Sequence, residues 1–291
     1  MVLRDHLFPN TVDEALAILK EHQGKARLIA GGTDLIVEIR DGTYDFEVLV
    51  DTAKIKKLRV IREEGSKIFI GSGVTFTELE ESEFIQANAS ALSLAASLVG
   101  SPQVRNRGTI GGNIVSAQPA ADGALALFAF DAVLEIAGVN GGREIPIGEA
   151  YRDVGKSAIN SKKEILVGIR LEKRKKGTGS NYQRIAMRKA MALPVLACGV
   201  FVESMNDSIR SARIAIGPVS NTPFRAREAE NFLKGKLITE KVLQKAGEIA
   251  SEEVNPRDSR LRGSSIYRKE ITAVIVGRGL EQAAAQINRE L

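Results

Sequence analysis

Two glycine-rich turns, Ala30-Gly31-Gly32-Thr33-Asp34 and Thr109-Ile110-Gly111-Gly112-Asn113, constrain this chain more than any other feature. Each borders an apolar stretch that reads as regular structure, so each is expected to be a tight turn at the edge of a packed layer. Paired glycines expose consecutive backbone N–H groups, and the missing side chains let another group approach the main chain closely. One such turn is met by a plain loop. Two of them, both carrying small hydroxyl or amide side chains, suggest a bulky ligand with a diphosphate, held along much of its length.

The surroundings of the turns support that reading. Thr11-Val12-Asp13-Glu14 is a capping box that predicts an amphipathic helix over 12–23, with Val12, Ala15, Leu16 and Leu19 on one face and Gly24 as the stop. Arg27-Leu28-Ile29-Ala30 reads as a short buried strand delivering the first turn. Thr33 or Asp34 stands where it would cap a second helix through Leu35, Ile36, Ile39 and Arg40. Strand, tight turn and helix form the arrangement in which phosphate meets a helix N-terminus.

Strands are expected over 46–50, 67–70 and 132–136, a second capping box at Thr75-Phe76-Thr77-Glu78, a long Ala/Leu/Ser helix over 88–99, and a short helix from Asp122. Lys173-Arg174-Lys175-Lys176 followed by Gly177-Thr178-Gly179-Ser180 reads as a solvated run entering a flexible joint. Beyond it, strands over 193–203 and 211–216 precede helices over 226–233, 240–252 and 265–285. Strands grouped first and helices later suggest an α+β C-terminal domain. The expected division is a domain over 1–176, with lobes of about 1–55 and 56–176, followed by a domain over 177–291.

Composition narrows the function classes. The 291 residues are 44% hydrophobic and 26% charged, as in an ordinary globular protein. No apolar run approaches the roughly 18–20 residues that span a bilayer, and the N-terminal residues lack the apolar core of a signal peptide, so a cytoplasmic location is expected. The net charge of +5 comes without aromatic interleaving or a groove-reading element, which argues against nucleic acid as a partner. A single cysteine, Cys198, excludes an internal disulfide and an iron–sulfur cluster held by this chain alone, and its apolar setting predicts a buried, inert thiol. His6 and His22 have no zinc-ligand spacing and read as surface residues. No metal site and no catalytic side chain are assigned.

Two lookalikes are set aside. Gly71-Ser72-Gly73-Val74-Thr75-Phe76 starts like a dinucleotide fingerprint but has Phe76 where close helix packing needs Gly or Ala. Gly155-Lys156-Ser157 resembles the end of a P-loop, yet Ala150 replaces its first glycine.

Taken in order, Ala30-Gly31-Gly32-Thr33-Asp34-Leu35, Arg105-Asn106-Arg107-Gly108-Thr109-Ile110-Gly111-Gly112-Asn113 and Pro119-Ala120-Ala121-Asp122 resemble the FAD-binding subunit of molybdenum hydroxylases. That group includes the medium subunit of carbon monoxide dehydrogenase and the flavin domain of xanthine dehydrogenase. Phe8-Pro9, Gly73-Val74-Thr75 with Glu78-Leu79, and Arg262-Gly263-Ser264 with Tyr267-Arg268 fit as well, so the resemblance covers essentially the whole chain.

The resemblance implies a two-lobed FAD-binding domain and a small α+β C-terminal domain, with FAD extended between the lobes. It implies that Leu28, Ile29, Ala30, Gly31, Gly32, Thr33, Asp34 and Leu35 line the diphosphate, with the N–H groups of Gly31, Gly32 and Thr33 as donors. Thr109, Ile110, Gly111, Gly112 and Asn113 would form a second clamp, and Asp122 would accept a hydrogen bond from the cofactor. Val99 and Leu166 fall at apolar contacts, while Arg184 and Lys189 fall near the flavin. One segment departs from the family pattern: many relatives have an aspartate at position 192 and no proline where this chain reads Met191-Ala192-Leu193-Pro194.

By the same resemblance the chain is an electron-transfer flavoprotein subunit. A large molybdopterin-containing partner would hydroxylate the substrate, electrons would cross 2Fe-2S clusters in a small subunit to FAD here, and NAD+, a quinone or oxygen would receive them. Two other readings stand beside it: a freestanding FAD-linked oxidoreductase, and an interaction subunit that has lost FAD.

Overall fold

The computed structural model describes residues 3–189 and 191–287. From the N-terminus the elements run β1 (Asp5–Leu7), α1 (Val12–Glu21), β2 (Ala26–Ile29), α2 (Leu35–Arg40), β3 (Val48–Asp51), β4 (Ile61–Glu64) and β5 (Lys67–Gly71). Helices follow: α3 (Phe76–Glu81), α4 (Glu83–Asn88), α5 (Ser90–Ser97), α6 (Pro102–Arg105), α7 (Ile110–Val115) and α8 (Asp122–Ala129). Next come β6 (Val133–Gly138), β7 (Arg143–Pro146), β8 (Tyr151–Asp153), β9 (Lys156–Ser157) and β10 (Glu164–Glu172). The C-terminal stretch holds β11 (Thr178–Ala186), β12 (Pro194–Met205), β13 (Ser208–Gly217), β14 (Phe224–Arg225), α9 (Arg227–Leu233), α10 (Glu240–Glu253) and α11 (Ser265–Ala284).

Contacts group these elements into two units that interleave along the chain. Unit 1 comprises Met1–Glu78, Pro102–Ala117 and Ala132–Glu172; unit 2 comprises Leu79–Ser101, Gln118–Asp131 and Lys173–Leu291.

In unit 1 a parallel sheet of order β1-β3-β2 is built from crossover connections through α1 and α2. Its central strand β3 is buried along its whole length, as a parallel strand covered on both faces must be. Helix α1 starts as the capping box foretells: Glu14 N–H donates to Thr11 Oγ1 at 3.1 Å, and Asn10 N–H donates to Glu14 Oε2 at 2.8 Å. Its face buries Ala15 and Leu19 in a cluster with Val50, Leu58, Phe69 and Val167. An antiparallel sheet of order β4-β5-β10-β6-β7 forms the rest of the unit. The Gly155-Lys156-Ser157 run sits in the β8–β9 hairpin, with Gly155 at φ +67°.

Unit 2 is an antiparallel sheet of order β11-β12-β13-β14 with helices against it. Strand β12 is buried on both faces. Leu196, Cys198, Val200 and Val202 enter the cluster that holds Ile275, Val276 and Leu280 of α11, and Gly199 on the other face meets Leu125 and Ala126 of α8.

The helix expected over 88–99 is α5, Ser90–Ser97; a separate helix, α4, precedes it across Ala89 (φ −147°), and Ser90 Oγ donates to Ser180 O at 2.8 Å, tying the start of α5 to β11. One expectation is corrected here. The joint expected at 177–180 is regular structure. Thr178–Ser180 open β11 with their polar groups satisfied inside the fold, Thr178 Oγ1 donating to Lys175 O at 2.7 Å.

Candidate functional site

The first glycine turn lies between β2 and α2. Gly32 takes φ +74°, a conformation that favours glycine, and an added side chain on Gly31 would overlap the Arg107 carbonyl. Hydrogen bonding resumes only when Ile36 N–H donates to Gly32 O at 3.0 Å. Among the described residues no acceptor takes the N–H groups of Gly31, Gly32, Thr33 or Asp34. Four consecutive unclaimed donors form a concavity suited to an anion. Asp34 occupies the N-cap position of α2 through its carbonyl; its carboxylate makes no cap bond, contrary to the expected role, and burial by the surrounding chain raises its pKa. Thr33 is exposed and Leu35 is buried.

The second turn differs from its expected form. Its N–H groups are already used: Ile110 donates to Val74 O (2.9 Å), Gly111 to Ser72 O (2.8 Å), Gly112 to the capping hydroxyl of Thr109 (3.1 Å) and Asn113 to Thr109 O (3.0 Å). What this turn offers a ligand is room. A Cβ on Gly111 would fall 2.5 Å from Ser72 Cβ, so that glycine serves packing within the protein. A Cβ on Gly112 would meet only Thr109 Oγ1, at 3.1 Å.

The two turns come together in unit 1 around two adjoining cavities. One, of about 100 Å³, is mainly apolar, with Leu28, Ile29, Val115, Ile165, Leu166 and Gly112 among its walls. The other, of about 70 Å³, is more polar, with Gly31, Arg59, Thr75, Asn106, Arg107 and Thr109. Ala30 and Thr52 line both, so the cavities share a wall. Arg59 Nη2 lies 3.3 Å from Glu78 Oε1, and Glu78 Oε2 accepts from Thr75 N–H (2.7 Å) and Thr75 Oγ1 (2.8 Å). Burial pushes the Glu78 carboxyl up, but the Thr75 donors and Arg59 outweigh it, and the net shift is downward. Arg59, Asn106 and Arg107 were not singled out as binding residues from sequence. The signal was the basic run Arg105-Asn106-Arg107 immediately before the second turn.

In unit 2 the expected residues form a separate group. Asp122 begins α8 and is 7% exposed. Its Oδ1 accepts from Tyr182 Oη at 2.7 Å and its Oδ2 from Arg184 Nη1 at 3.3 Å. Burial raises Asp122 to about 6 against the opposing pull of Arg184 and Tyr182. Arg184 also donates to Leu98 O and Ala192 O, and its Nε is buried with no partner among the described residues. Lys189 and Arg184 line an open cleft of about 470 Å³ together with Leu98, Ile185 and Met187. Val99 is half-buried just past the end of α5.

A run of free N–H donors beside a polar cavity, joined to an apolar one, defines a protein that holds an anionic cofactor with a large ring. The residues fit a diphosphate at the first turn and an apolar ring system beyond Ala30. Residues 4–172 match the family described as FAD binding domain in molybdopterin dehydrogenase, and residues 181–283 match the CO dehydrogenase flavoprotein C-terminal domain. The chain belongs to this family: it is an oxidoreductase subunit of α+β fold with FAD as its cofactor.

It is 33% identical to the nicotinate dehydrogenase FAD-subunit of Eubacterium barkeri, covering 90% of each chain. It is 32% identical to the carbon monoxide dehydrogenase medium chain of Hydrogenophaga pseudoflava, covering 96% of each. A solved structure of carbon monoxide dehydrogenase from Hydrogenophaga pseudoflava, lacking the Mo-pyranopterin moiety of its cofactor, superposes with a TM-score of 0.91 at 32% identity, over 98% of each chain. Among the described residues no helix is long and apolar enough to cross a membrane.

Proposed function

We propose that this chain is the electron-transfer flavoprotein subunit of a molybdenum-containing hydroxylase or dehydrogenase complex. In this reading it takes electrons from the 2Fe-2S clusters of a small partner subunit and passes them to NAD+, a quinone or oxygen. A large molybdopterin-containing partner carries out substrate hydroxylation. When bound, FAD supplies the redox chemistry; the protein supplies binding, orientation and exclusion of water.

The observation that carries the reading is the set of unclaimed N–H groups from Gly31 to Asp34 beside the adjoining polar and apolar cavities. The Gly31, Gly32 and Thr33 donors would hold the diphosphate, and Thr109 would add its hydroxyl. Each backbone donor contributes about 0.3–1 kcal/mol toward an anion, whereas nanomolar retention needs about 12 kcal/mol. Most of the affinity must therefore come from buried ring surface, a role that suits the apolar walls at Leu28, Ile29 and Leu166. In unit 2, Asp122, bonded to Tyr182 and Arg184, would face the cofactor, Arg184 would hold Ala192 on the flavin side, and Val99 and Lys189 would be further contacts. The need for partners is supported by Cys198, the chain's single cysteine, which is buried and cannot supply a cluster ligand set. A cytoplasmic location belongs to the same proposal, and cell fractionation tests it.

Isolation of the native assembly through a tag on this chain tests the function. Iron, molybdenum and FAD should co-purify in fixed ratio, with flavin reduced on addition of the complex's substrate. A metal-free, FAD-loaded single chain that turns over with an acceptor on its own would replace this reading with a freestanding flavin oxidoreductase.

A further inference from the structure

We propose that Arg107 is an anion-binding residue, its guanidinium pairing with the cofactor's diphosphate in the polar cavity of unit 1. The inference rests on FAD being the ligand of that cavity. Four observations meet there. The Arg107 backbone is fixed against the first turn, because the absent side chain of Gly31 leaves the space taken by the Arg107 carbonyl. Arg107 N–H donates to Val104 O at 3.2 Å and the next residue, Gly108, accepts from Phe76 N–H at 3.1 Å, so both sides of the residue are tied down. The cavity lining holds two arginines, Arg59 and Arg107, and no carboxylate. The charge of Arg59 is answered by Glu78, whereas the exposed Arg107 side chain has no ion pair or hydrogen bond among the described residues.

The cavity is thus positive by one uncompensated charge, alongside N–H groups that have no acceptor. A guanidinium meets a phosphate through two parallel hydrogen bonds, which an ammonium cannot reproduce. Arg107 is the side chain in this lining best able to make that contact, and it gives the cavity a preference for a diphosphate over a neutral ligand.

The test uses the full-length chain stripped of flavin and titrated with FAD, ADP and riboflavin at low and high NaCl. Arg107→Ala should weaken FAD and ADP by about ten- to a hundredfold, the range for a hydrogen bond to a charged group. Riboflavin, which has no phosphate, should bind as to the wild type, and the salt dependence of FAD binding should become shallower. Arg107→Lys should recover part of the loss. Thermal unfolding of the flavin-free variant should match the wild type, since the side chain has no partner among the described residues. FAD and ADP affinities equal to wild type in Arg107→Ala would overturn the inference, and so would an equal loss for all three ligands. A wild-type chain that binds no FAD would overturn the proposed function as well, and is told apart by the wild-type titration alone.

Discussion

Gly111 and Gly112 are neighbours with different duties. A methyl on Gly111 would press on Ser72, whereas one on Gly112 would enter the apolar cavity with only Thr109 Oγ1 nearby. Gly111→Ala should therefore destabilise the flavin-free chain by about 1–3 kcal/mol, the usual cost of overpacking. Gly112→Leu should stay within about 1 kcal/mol of wild type yet lower FAD affinity about tenfold or more. Denaturant unfolding and flavin titration of the two variants separate the effects; wild-type FAD affinity in Gly112→Leu would remove this turn from the site. The motif alone could not divide these roles. The carbonyls that claim the Ile110 and Gly111 N–H groups belong to Val74 and Ser72, far away in sequence and brought in only by the fold.

Among the elements, those with a local code were legible. Helices α1 and α3 begin at capping boxes, α11 starts at Ser265 as expected, and the apolar run of β12 announces a strand, whereas α7, capped by Thr109, lies in a segment read only as a turn. Strand β11 was not legible, because Thr178-Gly179-Ser180-Asn181 is polar and becomes buried only by bonding to groups such as Ser90 and Gln286. The link from β11 to α8 carries a pH prediction. Burial raises the Asp122 carboxyl from 3.8 to about 6, so the folded protein holds this proton more tightly than the unfolded chain does. Its contribution to stability is full below about pH 4 and is lost as pH rises through about 6. Two pKa units correspond to roughly 3 kcal/mol. Asp122→Asn has no proton to lose, so the stability advantage of wild type over the variant should shrink by about that much between pH 4 and 7. A difference that stays flat across that range would contradict this account.

The whole molecule is organised by pairings that span long stretches of chain. In unit 1, β5 pairs with β10 across a register from Gly71–Gly168 to Lys67–Glu172, and the intervening chain visits unit 2 twice. Closing such contacts costs loop entropy before any packing is gained, so neither unit can be completed from a contiguous segment. This is also why the interleaving could not be read from periodicity, which reports only near neighbours.

Cys198 gives that architecture an internal gauge. It is the only thiol in the chain, fully buried between β12 and α11, with Sγ 3.4 Å from Ile275 O, and burial pushes its pKa up to about 12. At neutral pH an alkylating reagent should leave the native protein unmodified over hours and label it completely in denaturant. Rapid native labelling would show that the sulfur is not walled in. Because the thiolate is the reacting form, the pace of slow labelling counts how often the central strand of unit 2 comes free, with no dye, tag or mutation added to report it.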